Sequence, residues 1–116
     1  KNYISNTRIL KNKEYTDSEE WLCHLIDSTK IGISQKALDE LSDLVYIEYE
    51  FKKGDIVKEK EDLVMIESVK ATNSIVAPFD LILLENNSIL ENNLNIVNDD
   101  PENVENSWFV KVDRLH

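Results

Sequence analysis

Cysteine, histidine, glycine and proline are all scarce in this chain, and each scarcity closes off a class of function. A single cysteine, Cys23, excludes an internal disulfide and a multi-cysteine zinc site. His24 and His116 are the only histidines, too few beside one cysteine for a zinc centre built from protein ligands alone. The adjacent Cys23 and His24 form no nucleophile–base pair, because neighbours on a strand point to opposite faces. Basic residues are outnumbered, with 13 Lys and Arg against 23 Asp and Glu and a formal charge of -10. A surface of that sign does not suit nucleic acid or anionic membrane, and is complementary to basic patches on partner proteins. No apolar run approaches the roughly 20 residues needed to span a bilayer, and no hydrophobic signal region is present. The chain starts at Lys1 without methionine, as expected of a mature form from which a segment has been removed. Two glycines and two prolines must serve many turns, so Asn and Asp are expected to make most of them. The pairs Asn86-Asn87 and Asn92-Asn93 suit that role because Asn tolerates positive φ. The abundance of Asn, Ile and Lys also fits a nucleotide-composition bias.

What is present predicts a single β-rich domain over residues 1–116, with a lead-in over 1–14 and a core over about 15–112. Alternating and β-branched residues predict strands over 21–26 and 29–33, with Asp27-Ser28 between them. The period then changes. Ser34 is placed to cap a short helix whose inner face carries Ala37, Leu38 and Leu41, ending near Ser42. Residues 44–51 alternate again as strand, Lys53-Gly54-Asp55 reads as a turn, and Ile56-Val57 opens another strand. An echo of that last strand and of Leu63-Val64-Met65-Ile66 recurs at Ile89-Leu90 and Leu94-Asn95-Ile96-Val97, suggesting two quasi-symmetric small sheets. Asp100 before Pro101 fits N-cap and first position of a helical turn. A final strand is expected over 108–112. Together these predict a β sandwich or flattened barrel with one or two short helices.

Between two strand-like runs, Leu63 to Ile66 and Thr72 to Val76, the chain must reverse, and Lys70 falls at the reversal. A primary amine there is positioned by a rigid sheet and given reach by its four-carbon stem, which suits attachment of a prosthetic group.

Five blocks in order carry a family resemblance. Tyr15-Thr16-Asp17-Ser18-Glu19-Glu20-Trp21 resembles the opening signature of the glycine cleavage system H proteins. Ile31-Gly32-Ile33-Ser34, with Ala37 and Leu41, is similar to the start of their helix. Asp43-Leu44-Val45-Tyr46-Ile47-Glu48 resembles the strand that follows. Glu67-Ser68-Val69-Lys70-Ala71 is similar to their lipoylation sequence, and Val97-Asn98-Asp99-Asp100-Pro101 with Trp108 to their closing segment.

The resemblance implies a barrel-sandwich hybrid of two small antiparallel sheets, lipoic acid in amide linkage to Lys70, and a motif of Glu67, Ser68, Val69 and Ala71 recognised by the attaching enzyme, a lipoate ligase or a lipoyl/octanoyl transferase. In such proteins the arm accepts the aminomethyl group of glycine from a pyridoxal-phosphate glycine decarboxylase (P protein). The arm passes that group to an aminomethyltransferase (T protein) and is reoxidised by a dihydrolipoyl dehydrogenase (L protein). The resemblance thus implies a monomeric carrier and no enzyme. Ser18 and Glu20 match positions lining the cleft that shelters the loaded arm, where a carboxylate suits an aminomethyl cation. The family implies a mitochondrial matrix location, with bacterial cytoplasm as the alternative. The chain departs from the pattern in carrying Ser74 where an acidic residue is common and Leu81 in place of a turn glycine, which unsettles the expected turn there. Ser107 precedes Trp108 where the family has glycine, and the usual C-terminal helix has no counterpart before His116. Two rival readings share the lysine or the fold: an H-like relay that donates lipoate to other enzymes, and a homologue that carries no lipoate.

Overall fold

A computed structural model describes residues 13–116. The expected lead-in over 1–14 lies outside the described residues apart from its end, where Glu14 enters the first strand, β1 (Glu14–Tyr15). Strands β2 (Glu20–His24) and β3 (Thr29–Ile33) follow as an antiparallel hairpin pairing Trp21 with Gly32 and Cys23 with Lys30. Leu25 N donates to Ser28 O at 2.7 Å. The reversal therefore centres on Ile26 and Asp27, one position before the expected Asp27-Ser28.

Helix α1 (Gln35–Leu41) begins where expected, with Ala37 N donating to Ser34 Oγ at 3.1 Å. Leu38 and Leu41 face the core, and Ser42 ends the helix at φ 66. The remaining strands are β4 (Leu44–Tyr49), β5 (Ile56–Val57), β6 (Asp62–Ser68), β7 (Thr72–Val76), β8 (Leu81–Asn86) and β9 (Val110–Arg114). They build a six-stranded sheet in the order β1-β2-β3-β9-β8-β5 and a three-stranded sheet in the order β4-β6-β7, antiparallel throughout. The main core draws on both sheets, with Ile31, Leu81, Leu83 and Val112 from one and Ile47, Val64, Ile66 and Ile75 from the other. This is the expected mainly-β barrel-sandwich architecture with short helices.

Five local expectations are corrected. The echo at Ile89-Leu90 and 94–97 forms no strands. A 3-10 turn (Ser88–Asn92) and helix α2 (Asn95–Asp99) occupy it, and they bury Leu90 and Val97 as single plugs. Asp100 follows α2 as its C-cap, and its carbonyl accepts from Asn103 N at 3.2 Å, so Pro101 sits in a turn and not at a helix start. The positive-φ residues other than glycine, among those described, are Glu19, Ser42 and Lys60, so neither Asn pair supplies that conformation. Asn87 instead is buried and donates to Trp108 O at 2.8 Å. Leu81 needs no turn glycine: it is fully buried as the first residue of β8, opposite Val57 and Arg114. The last strand also starts two residues later than expected, although Phe109 already bonds Ile31 on one side and Asn87 on the other.

A smaller cluster, Trp21, Cys23, Leu25 and Trp108, fills the outer face of the large sheet, with Val104 packed over it. Trp21 Nε1 donates to Pro101 O at 2.8 Å and Lys30 Nζ to Val104 O at 3.1 Å, fastening that cover. Glu102 ties the same segment to two elements: its carboxylate accepts from Tyr15 OH at 2.6 Å, Lys13 Nζ at 2.9 Å and Gln35 N at 2.8 Å. Burial pushes the Glu102 carboxyl up, but these bonds outweigh it and hold it below the ordinary carboxylate range. In return Tyr15, bonded to that carboxylate, has its phenol pushed up to about 12.

Candidate functional site

Lys70 lies at the tip of the β6–β7 hairpin, exposed. Among the described residues its ammonium has no hydrogen bond or ion pair, so the amine is free to react. The turn beneath it is closed by Ser68 N donating to Ala71 O at 2.8 Å. Ser68 Oγ accepts from Lys70 N at 3.1 Å and Ala71 N at 3.0 Å. Glu67 is half-buried at the end of β6, between Tyr46 and Thr72, while Val69 and Ala71 are exposed beside the lysine. Val69 N donates to Asp43 O at 3.3 Å, which ties the tip to the loop between α1 and β4.

Ser18 and Glu20 meet in a second place, a cleft of about 430 Å³ that also takes in Thr16, Val76, Ala77 and Pro78. Lys70 does not line it. Val76 follows Lys70 by six positions, roughly 20 Å of extended strand at ~3.3 Å per residue. An arm on Lys70 would have to fold back along β7 to reach it. Ser74 is half-buried on that strand, paired with Met65, and is not among the lining residues.

Glu20 differs from a surface strand carboxylate. It is buried, takes a hydrogen bond from Thr16 Oγ1, and accepts from Val76 N at 3.3 Å. It thus staples the β1–β2 loop onto the end of β7, a role the sequence did not signal. Burial pushes its carboxyl above the ordinary range, and the bonds from Thr16 and Val76 only partly offset this. A raised folded-state value means that its contribution to stability is full below the unfolded value of 4.5 and is lost as pH rises through the folded one. Glu20→Gln, which keeps an acceptor for Val76 N, is therefore expected to become more stable relative to the parent as pH rises from 4.5. Urea unfolding across a pH series measures this, and parallel stability curves would refute it.

Cys23 and His24 take up opposite faces. Cys23 is fully buried, and burial pushes its thiol up. His24 faces outward between Thr29 Oγ1 at 3.0 Å and Glu14 Oε1 at 3.1 Å. Among the described residues no three His, Cys, Asp or Glu side chains are grouped to hold a metal ion. No helix there is long and apolar enough to cross a membrane.

Comparison with known proteins identifies this arrangement. The family model for "Glycine cleavage H-protein" matches residues 13–115. A glycine cleavage system H protein from Synechocystis is 36% identical over 98 residues, covering 84% of this chain and 73% of that protein. One from Dinoroseobacter shibae is also 36% identical, covering 84% and 78%. A mitochondrial one from Arabidopsis thaliana is 33% identical, covering 90% and 61%. The crystal structure of an H protein from Mycobacterium marinum superposes with a TM-score of 0.76 at 23% identity, covering 94% and 84%, which supports the fold. The chain belongs to the glycine cleavage system H-protein family, whose members are carriers and not enzymes.

Proposed function

We propose that Lys70 carries lipoic acid and that the loaded chain serves glycine cleavage as its mobile carrier. The observation that carries this reading is the exposed Lys70 side chain, without a hydrogen bond or ion pair among the described residues, on a bonded hairpin turn within Glu67-Ser68-Val69-Lys70-Ala71. Attachment by a lipoate ligase forms one amide bond between Nζ and the lipoate carboxyl carbon. ATP is split to AMP and pyrophosphate, the displaced carboxylate oxygen leaves on AMP, and Nζ releases two protons. A lipoyl/octanoyl transferase would form the same bond. Glu67, Val69 and Ala71 flank Lys70 on the surface the attaching enzyme meets, and Ser68 holds the turn between them.

When bound, the group supplies a dithiolane that takes up the aminomethyl unit at the P protein, yields it at the T protein and returns electrons to the L protein. The chain supplies position. A fixed stem and a tethered end raise the group's effective concentration at each docked active site. The Ser18–Glu20 cleft, lined also by Val76, Ala77 and Pro78, offers shelter for the cationic loaded end against a carboxylate. The described residues act as one unit, a reading supported by a main core that draws on both sheets. The mitochondrial matrix is supported by the plant relative named as mitochondrial, and the bacterial alternative by relatives from bacteria.

Reconstitution with glycine decarboxylase tests the function. Lipoylated chain is expected to support glycine–bicarbonate exchange, and lipoylated chain that supports none would point to the relay role. In the same system Glu20→Gln is expected to shorten the lifetime of the loaded form without slowing lipoylation. An unchanged decay rate removes Glu20 from that role.

A further inference from the structure

We propose that Ser68 is a positioning residue for attachment at Lys70, acting from inside the turn; this rests on Lys70 being the modified residue. The two residues at the corner, Val69 and Lys70, are poor turn formers, with neither Gly, Pro, Asn nor Asp among them. Ser68 supplies what they lack. Its hydroxyl accepts from Lys70 N at 3.1 Å and Ala71 N at 3.0 Å and donates to Ala71 O at 3.1 Å. With Val69 N on Asp43 O, the three successive amides of the tip all have acceptors within the protein, two of them on one side-chain oxygen. Removing that oxygen leaves Lys70 N and Ala71 N to water and only the Ser68 N–Ala71 O bond across the corner, so the tip populates more than one geometry while the strands below keep theirs.

An attaching enzyme must find the amine in one place, and an acceptor whose competent turn is only partly populated binds more weakly by that fraction. Ser68→Ala is expected to speed amide hydrogen exchange at Lys70 and Ala71 in the free protein by about tenfold. It is expected to raise KM for the acceptor by about the same factor, with kcat kept, when a lipoate ligase acts with lipoate and ATP. Ser68→Thr retains the oxygen and should restore both quantities. Exchange or KM unchanged in Ser68→Ala overturns the proposal. So does Ser68→Thr that restores exchange while KM stays high, which would mean the enzyme itself touches Ser68. Lipoylation that persists in Lys70→Ala, measured alongside, would instead overturn the attachment reading.

Discussion

Lys70→Ala is expected to abolish both the lipoyl mass increment and all carrier activity while the fold is retained. The side chain is exposed, and among the described residues it makes no hydrogen bond or ion pair. Its backbone N–H, which the substitution keeps, holds the turn. Surface positions of this kind shift stability by about 0.5 kcal/mol or less. Intact mass after incubation with ligase, lipoate and ATP gives the first readout, glycine–bicarbonate exchange the second, and urea unfolding the third. Activity surviving the change would place the attachment elsewhere. A large loss of stability would make Lys70 part of the framework and end its reading as a free arm.

The second large effect lies in the other sheet. A Cβ added at Gly32 would stand 2.3 Å from Cε2 and Cζ2 of Trp21 and 2.6 Å from its Nε1. The indole cannot easily yield. Its N–H is committed to Pro101 O at 2.8 Å, and Lys13 Nζ lies 4.9 Å from its ring centroid. Gly32→Ala is therefore expected to cost about 3 kcal/mol through forced displacement of a packed ring. The cause can be isolated. In a Trp21→Leu background the same glycine change should cost less than about 1 kcal/mol, because the clash is gone and the pair is strongly coupled. Additive losses in denaturant unfolding would mean that Gly32 is required for some other reason.

The contrast between these two residues shows how far the sequence carried. Lys70 was readable because it sits in a short motif between strands of clear alternation, and β3, the Ser34 cap and β5 were readable for similar local reasons. Gly32 was visible only as one letter of a motif, since its constraint comes from an indole eleven positions back across a hairpin. The segment 88–99 misled because two isolated apolar pairs among asparagines fit strand and helix equally. Glu20 was legible only through the family resemblance, as a cleft residue, and Glu102 carried no signal. Their burial depends on partners far along the chain, Val76 for one and Gln35 for the other, and composition cannot reveal such pairings. Leu81, suspected as a lost turn glycine, is core because β8 lies between β5 and β9.

The cluster that Gly32 helps to close also has an optical consequence. Both tryptophans of the chain, Trp21 and Trp108, belong to it, buried on the outer face of the large sheet. The Lys70 hairpin belongs to the other sheet, with the main core between. Intrinsic fluorescence should therefore be blue-shifted in the folded protein and report unfolding of that cover, while its emission maximum stays the same whether Lys70 at the hairpin tip is bare or acylated. The fold contains its own folding reporter, in the sheet that does not carry the attachment lysine.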